Sequence, residues 1–382
     1  MNFEPNETQL AVRNLARTFA RQKIAPVAAK LAAEHLFPVE LFRECASLGL
    51  MGVNISADYG GSEAGPVAMA LAMQQIAQVD AAFTVTVAVT NMVAEVIAAF
   101  GTEAQKRHWL PKITSGETLC AAFALSEAES ASDAGSIKTR ADLKDGKWVI
   151  NGNKQWISHG NHAGVFVVWA RTRPGTKDAS GVSAFLVAGG TRGLTVGPPE
   201  DKMGLRSSPT VALTFEDVEV AQDALLGQEG GGFKIAMMAL DGGRINIAAQ
   251  ATGVMRAAMD ASRDYARQRQ AFGHPIADFQ AIQWFLADMA TQLKAAELLM
   301  LQAAWLKQLK RPFTLQASMA KVFASEAANR ATDKAVEIHG GNGYVEGNPP
   351  VERMFRDARV QTIYEGTSEI QRMVIARKIL AG

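Results

Sequence analysis

Residues 363–372, IYEGTSEIQR, set a carboxylate, Glu365, between an aromatic residue and a glycine just before a helix-start pattern. Thr367 with Ser368 and Glu369 is ordinary helix-entry chemistry, because a hydroxyl caps the first amides and acids suit the first turn. On a surface turn Glu365 would be a solvated acid. Shielded beside a bound substrate, the same carboxylate would have a raised pKa and could act as a general base. Asp241 and Arg244 stand one helical turn apart in LDGGRINIA, as a simple intrahelical ion pair or as a guanidinium aimed at a phosphate-bearing ligand. Arg269, in YARQRQ, is either a solvated helix residue or a planar fork for an anion. Trp156 and Ser158, in KQWISHG, supply a ring and a hydroxyl that could anchor a hairpin core or meet a planar cofactor. His159 and His162 lack an evident third ligand, and Cys45 and Cys120 form no CxxC, so no metal site is expected.

These residues must be positioned by three zones of differing periodicity. From about residue 6 to 115 the spacing is helical, with Val12, Leu15, Ala16 and Phe19 on one face and Leu41, Cys45 and Leu48 on another beginning at Pro38; two helices follow over 66–99. Between about 119 and 225 the runs KWVI, VFVVWART, VSAFLVA and VALTFEDVEV read as strands, with Asp145-Gly146 and Asn151-Gly152 as hairpin turns. Helical spacing returns near 231, after GQEGGGF, a flexible entry, and is broken at His274-Pro275, Arg311-Pro312, Gly340-Gly341 and Pro349-Pro350. The absence of strand–helix alternation excludes a doubly wound parallel sheet, and no GxGxxG turn has the right setting.

With 382 residues, 48% hydrophobic, the chain can bury a large core in two or three subdomains. Its 39 basic and 38 acidic side chains argue against a nucleic-acid partner while leaving room for a local basic pocket. MNFEPNETQL lacks a secretory pattern and no apolar run is expected to span a bilayer, so the sequence-based expectation is a cytoplasmic protein with no membrane partner. The methionines of AMMAL and ADMA are expected in the core.

Six separated motifs, FALSEAESASDAGSIKT (123–139), KQWISHG (154–160), LDGGRINIA (240–248), RQAFGHPIADFQ (269–280), EIHGGNGYV (337–345) and RDARVQTIYEGTSEIQR (356–372), resemble the acyl-CoA dehydrogenase family in order and spacing. The resemblance covers nearly the whole chain. It implies a mainly α fold with a central β domain: an N-terminal helical domain (1–118), a β-barrel-like middle domain (119–228) and a C-terminal four-helix bundle (229–382). It also implies a homotetramer, a dimer of dimers, holding FAD. The implied reaction is α,β-dehydrogenation of a short straight or branched acyl-CoA, butyryl-CoA or isobutyryl-CoA dehydrogenase-like, with electrons passed to an electron-transfer flavoprotein.

Residue by residue, the resemblance makes Glu365 the catalytic base. Gly366 admits the thioester, and the Glu365 N–H helps to stabilise the developing oxyanion. Phe123, Leu125, Ser126, Ser132, Trp156, Ile157, Ser158 and Thr367 are implied around FAD, with Glu369 beside them. Arg269, Phe272, Gln280, Glu337, Ile338, Gly340 and Gly341 are implied as further FAD contacts, partly from a neighbouring subunit. Ser132, Asp241, Arg244 and Gly366 are the implied substrate contacts, and residues 83–92 and 237–240 are expected to close a short acyl pocket. Ala128, Glu129 and Ala131 replace the family's Pro-Gly and second Gly, putting an acid near the expected anionic ligand, while Glu337 and Ala271 remove neutral polar FAD contacts. An acyl-CoA oxidase, a desulfinase-like enzyme and a noncatalytic acyl-CoA-binding protein or scaffold are the competing readings.

Overall fold

The computed structural model describes residues 4–173, 175–176, 178–347 and 350–381; Pro349 of the expected Pro349-Pro350 break lies outside them. Helices come first: α1 (Glu7–Phe19), which runs through a π turn into α2 (Ala25–Ala33), then α3 (Val39–Ser47), α4 (Gly65–Ala77), α5 (Ala81–Phe100) and α6 (Glu103–Thr114). Asn6 starts α1 with a reciprocal box: the Gln9 N–H donates to Asn6 Oδ1 and the Asn6 N–H to Gln9 Oε1, both at 2.9 Å. Ala16 and Phe19 turn inward, but Leu15, at the edge of the stripe, is 37% exposed. The expectation that no run could span a bilayer needs correction: α5 has 20 residues and a mean hydropathy of 1.7, enough by length and composition. Its apolar window is 72% buried inside the protein, because α5 is a core helix packed on α4, α7 and the sheet.

The central strands are β1 (Cys120–Ala124), β2 (Arg140–Lys144), β3 (Lys147–Ser158), β4 (Ala163–Arg171), β5 (Val182–Ala188), β6 (Leu194–Val196), β7 (Thr210–Ala221) and β8 (Leu225–Leu226). They form one sheet in the order β6-β7-β3-β2-β4-β5-β8, with β1 added parallel to β4. Asp145 (φ +48°) and Gly146 (φ +77°) make the expected tight turn between β2 and β3. Asn151-Gly152 does not turn: both lie within β3, Asn151 opposite Arg140 and Gly152 opposite Phe215. Glycine is required there by crowding, since a Cβ at 152 would stand 2.7 Å from the Thr139 Cα.

After the sheet come α7 (Gly232–Gln268), a small hairpin of β9 (Gln270–Ala271) and β10 (His274–Pro275), α8 (Gln280–Gln308), α9 (Thr314–His339), α10 (Gly341–Tyr344), α11 (Val351–Arg359) and α12 (Ser368–Leu380). The entry to α7 is packed rather than slack. The Trp169 indole donates to the Gly232 carbonyl at 2.7 Å, and a Cβ at 232 would lie 2.5 Å from the Ser183 carbonyl carbon. The first and last helical zones share one core, which includes Phe42, Met73, Ile245, Leu293 and Ala324. A second core, with Val93, Ile97, Trp169 and Ile235, joins α5 and α7 to the sheet. Tyr364, beside the candidate base, packs against a smaller cluster that includes Val85, Leu205, Val254 and Ala358.

Candidate active site

The turn between α11 and α12 holds Glu365 at φ +54° and Gly366 at φ +86°. A side-chain-bearing residue in the left-handed region costs about 1–2 kcal/mol, so the surroundings must hold it there. The Lys321 ammonium donates to the Gly366 carbonyl at 2.7 Å, and the Gln371 amide donates to the Glu365 and Gly366 carbonyls at 3.1 and 2.9 Å. Tyr364 donates its hydroxyl to Gln250 Oε1, and the Ile370 N–H donates to Thr367 Oγ1 at 3.3 Å, capping α12. Thr367 thus caps a helix and lines the cleft at once.

Glu365 Oε2 is shielded from solvent and has no hydrogen-bond partner among the described residues. Burial pushes the carboxyl up to about 7, with the Arg244 guanidinium and Lys321 ammonium opposing that rise. Gly243 makes room for it, because a Cβ there would stand 2.4 Å from Oε2. Arg244 donates to Asp241 Oδ1 at 2.6 Å, and Asp241 Oδ2 accepts from the Thr314 hydroxyl at 2.5 Å. Burial raises the Asp241 carboxyl despite Thr314 and Arg244. Arg244 is only 4% exposed and lines the cleft with Glu365, and its Nε has no partner among the described residues. Asp241 itself is not among the cleft-lining residues and acts through Arg244.

At the sheet end, Lys154 pairs with Leu213 and Ile157 with Val211, so Gln155 and Trp156 together oppose Ala212. This bulge puts Trp156 at φ +64° and leaves it 56% exposed along the cleft. Two contacts fix the bulge to the segment leaving β1: the Gln155 N–H donates to the Ser126 carbonyl at 2.9 Å, and Lys154 Nζ donates to the Leu125 carbonyl at 3.0 Å. Lys154 also meets Glu127 Oε1 at 2.8 Å, and the Glu127 carboxylate accepts from the N–H groups of Lys138 and Thr139 at 2.6 and 3.0 Å. Glu129, the unexpected acid of this loop, is exposed and paired with Lys138.

Phe123, Leu125, Ser126, Ser132, Trp156, Ile157, Ser158, Arg244, Glu365, Gly366 and Thr367 line one cavity of about 1350 Å³. A single small-molecule site usually takes about 300–1,000 Å³, so this cleft can take a cofactor and a substrate together. Its lining carries Lys202, Arg244, Arg356, Arg359 and Arg377 against Asp133, Asp178 and Glu365, an excess of positive charge suited to phosphate-bearing ligands. The acyl-pocket expectation is narrowed: Val85, Ala88, Val89, Met92, Met237 and Leu240 line the cleft, whereas Phe83 is stacked on Phe42 in the helical core. Met237 is therefore a cleft residue and Met289 a core one.

Arg269, Phe272, Gln280, Glu337, Gly340 and Gly341 are not brought to this cleft. The 26 positions from Gly243 to Arg269 put Arg269 roughly 39 Å away along α7, and the 16 from Lys321 to Glu337 put Glu337 roughly 24 Å away along α9. Phe272 is 92% exposed there, whereas the Ile338 side chain is turned into the helical core. Glu369 is exposed in the first turn of α12 and does not line the cavity. His159 Nε2–H donates to the Ala121 carbonyl at 3.0 Å within the core, and the described residues contain no metal-binding cluster. Sequence reasoning missed Lys154, Glu127, Lys321, Gln371 and Gly243. The available signal was a lysine at 321 on a helix face of small residues, Ala317, Ser318, Ala324, Ser325 and Ala328.

Residues 6–117, 122–218 and 230–380 match the sequence families described as acyl-CoA dehydrogenase N-terminal, middle and C-terminal domains. The chain is 44% identical to the acryloyl-CoA reductase (NADH) of Anaerotignum propionicum, over 100% of this chain and 96% of that protein. It is 45% identical to the mitochondrial short-chain specific acyl-CoA dehydrogenase of Bos taurus, over 99% of this chain and 92% of that one. The solved structure of butyryl-CoA dehydrogenase from Megasphaera elsdenii superimposes with a TM-score of 0.97 at 40% identity, covering 100% of both chains.

Proposed function

From the premise that this chain belongs to the acyl-CoA dehydrogenase family of FAD-dependent oxidoreductases, we propose that it interconverts a short straight or branched acyl-CoA and its 2-enoyl-CoA. The observation that carries this reading is the shielded carboxyl oxygen, without a hydrogen-bond partner among the described residues, of Glu365, a residue that lines a cleft large enough for two ligands. With a pKa of about 7, the carboxylate is present at neutral pH and basic enough to take the Cα proton of a thioester. The Glu365 N–H donates to no backbone carbonyl among the described residues, which leaves it free for a developing enolate oxygen. FAD, when bound, supplies the hydride acceptor that no side chain can provide.

The chain has residues fitted to hold that cofactor: the exposed Trp156 ring, with Ser126, Ser158 and Thr367 in the same cavity. Arg269, Phe272, Gln280, Glu337, Gly340 and Gly341 would serve the cleft of a second copy in a homotetramer, because their distance from Glu365 bars them from their own. Ser132 and the basic lining would meet the CoA portion, with an electron-transfer flavoprotein as the redox partner. A short acyl pocket is supported by the side chains of Val89, Met92, Met237 and Leu240, which line the cleft.

Likeness to an acryloyl-CoA reductase favours a second reading, net reduction of a short enoyl-CoA. A group with a pKa of about 7 can return the Cα proton as readily as remove it. Anaerobic stopped-flow with butyryl-, isobutyryl- and octanoyl-CoA tests the first reading by following flavin bleaching. Glu365→Gln should bind FAD and ligand but bleach at least about 10²-fold more slowly, and the short thioesters should outperform octanoyl-CoA. Wild-type rates in a fully flavinylated Glu365→Gln enzyme would remove the base. Oxidation of the reduced enzyme by short enoyl-CoA, compared with oxidation by an electron-transfer flavoprotein, separates the two directions.

A further inference from the structure

Lys321 is fully buried on α9, and no carboxylate lies within ion-pair distance of its ammonium among the described residues. Its hydrogen bond goes to a backbone carbonyl, that of Gly366, at 2.7 Å. Withdrawing an ammonium from water without a close counter-ion is costly, and a methionine of similar length would fill the same helix face without that cost. The charge therefore calls for a reason beyond packing.

We propose that Lys321 is a positioning residue for the Glu365 base: it fixes the Glu365–Gly366 turn through the Gly366 carbonyl and supplies, beside Arg244, a second positive charge facing the carboxylate. The inference rests on Glu365 being the base. Glu365 and Gly366 both have positive φ, and the carbonyl Lys321 holds belongs to the peptide immediately after Glu365. Gln371 shares that carbonyl at 2.9 Å, so the turn has one neutral anchor and one charged anchor.

Charged neighbours come from each packed element. From α7, Arg244 faces both groups with its partner Asp241. Glu326 of α9 is paired with Arg372 of α12 at 2.7 Å, and Glu369 lies in the first turn of α12. From α5 the near contact is the uncharged Met92. Burial lowers the ammonium to about 8, against the opposing pull of Glu365, so it is charged over the range in which Glu365 titrates. Removing that charge makes Glu365 harder to ionise, and catalysis then requires a higher pH. Above about pH 8 wild-type Lys321 itself becomes neutral, and the difference should close.

The test is the pH profile of anaerobic flavin reduction by butyryl-CoA in holoenzymes carrying Lys321→Met, Lys321→Gln or Lys321→Arg, with Glu365→Gln alongside. Lys321→Met should move the acid limb upward by about one unit, an approximately tenfold loss near pH 6 that disappears by about pH 9. Lys321→Gln keeps a donor to Gly366 without the charge and should show the same shift, covering the case in which the methionine variant does not fold. Lys321→Arg should keep the wild-type limb. An unshifted limb in the neutral variants, or a uniform loss at all pH values, would overturn the proposal. If Glu365→Gln is inactive while the limb stays unshifted, only the role of Lys321 falls; if Glu365→Gln reduces flavin normally, the base itself is wrong.

Discussion

Lys154, at the sheet end of the cleft, and Lys321, at the helical end, are both withdrawn from water, and burial lowers each to about 8. Their partners differ. Lys154 meets the Glu127 carboxylate at 2.8 Å, and two backbone N–H groups complete that acid's hydrogen bonding. Lys321 meets a carbonyl, while the nearby acid, Glu365, keeps an oxygen without a partner. Where the cleft must hold a rigid surface, at the Trp156 bulge, the buried charge is neutralised. Where it must move a proton, the charge is left incompletely paired. Scaffold and reactive group have the same residue types and different satisfaction.

The largest effect should come from breaking the satisfied pair. Lys154→Met leaves Glu127 buried without its cation and should cost about 3–5 kcal/mol in denaturant unfolding, well beyond the loss for Lys321→Met. Equal losses for the two would break the comparison. Burial works to raise Glu127, but Lys154 and the Lys138 N–H outweigh it and hold the carboxyl below the usual glutamate value. A depressed carboxyl adds stability above its unfolded pKa and loses it as pH falls through the folded one. The gap between wild type and Lys154→Met should therefore shrink below about pH 4.

Glu365→Gln should act in the opposite sense. A carboxyl raised to about 7 stabilises the fold below its unfolded pKa, and that contribution is lost as pH rises through the folded value. At pH 8 the glutamine variant should be the more stable, by up to about 3 kcal/mol, and near pH 4 the two should coincide. Thermal unfolding at both pH values checks this; a variant less stable at pH 8 would mean that the acid is satisfied after all. The smallest effect on stability should be that of Gly243→Ala, about 1–3 kcal/mol, because its Cβ meets a side-chain oxygen that can swing aside. Its flavin-reduction rate should nevertheless fall by at least about tenfold with FAD content unchanged, since the displaced oxygen belongs to the carboxyl group that takes the proton. An unimpaired rate would show that the carboxylate position is not set by α7.

By itself the sequence determined the helix–strand–helix order, the cap at Thr367, the Asp145-Gly146 turn and the motif residues that gather in the cleft, because these depend on local periodicity, short-range hydrogen bonding or recognisable strings. It misread Asn151-Gly152 as a turn because the same dipeptide suits a tight turn and a crowded bulged strand, and only the neighbour across the sheet, Thr139, decides between them. The Asp-x-x-Arg spacing fixed the Asp241–Arg244 pair, but not the depth of the helix face that carries it, which leaves Arg244 only 4% exposed. Lys154, Lys321 and Gly243 acquire meaning from partners 27, 45 and 122 positions away in the chain, at Glu127, Gly366 and Glu365. Local sequence cannot report such distances in space. The motif marked Glu365 as a candidate base, but its raised pKa follows from its desolvation against the pull of two cations on other helices, which only the tertiary structure decided.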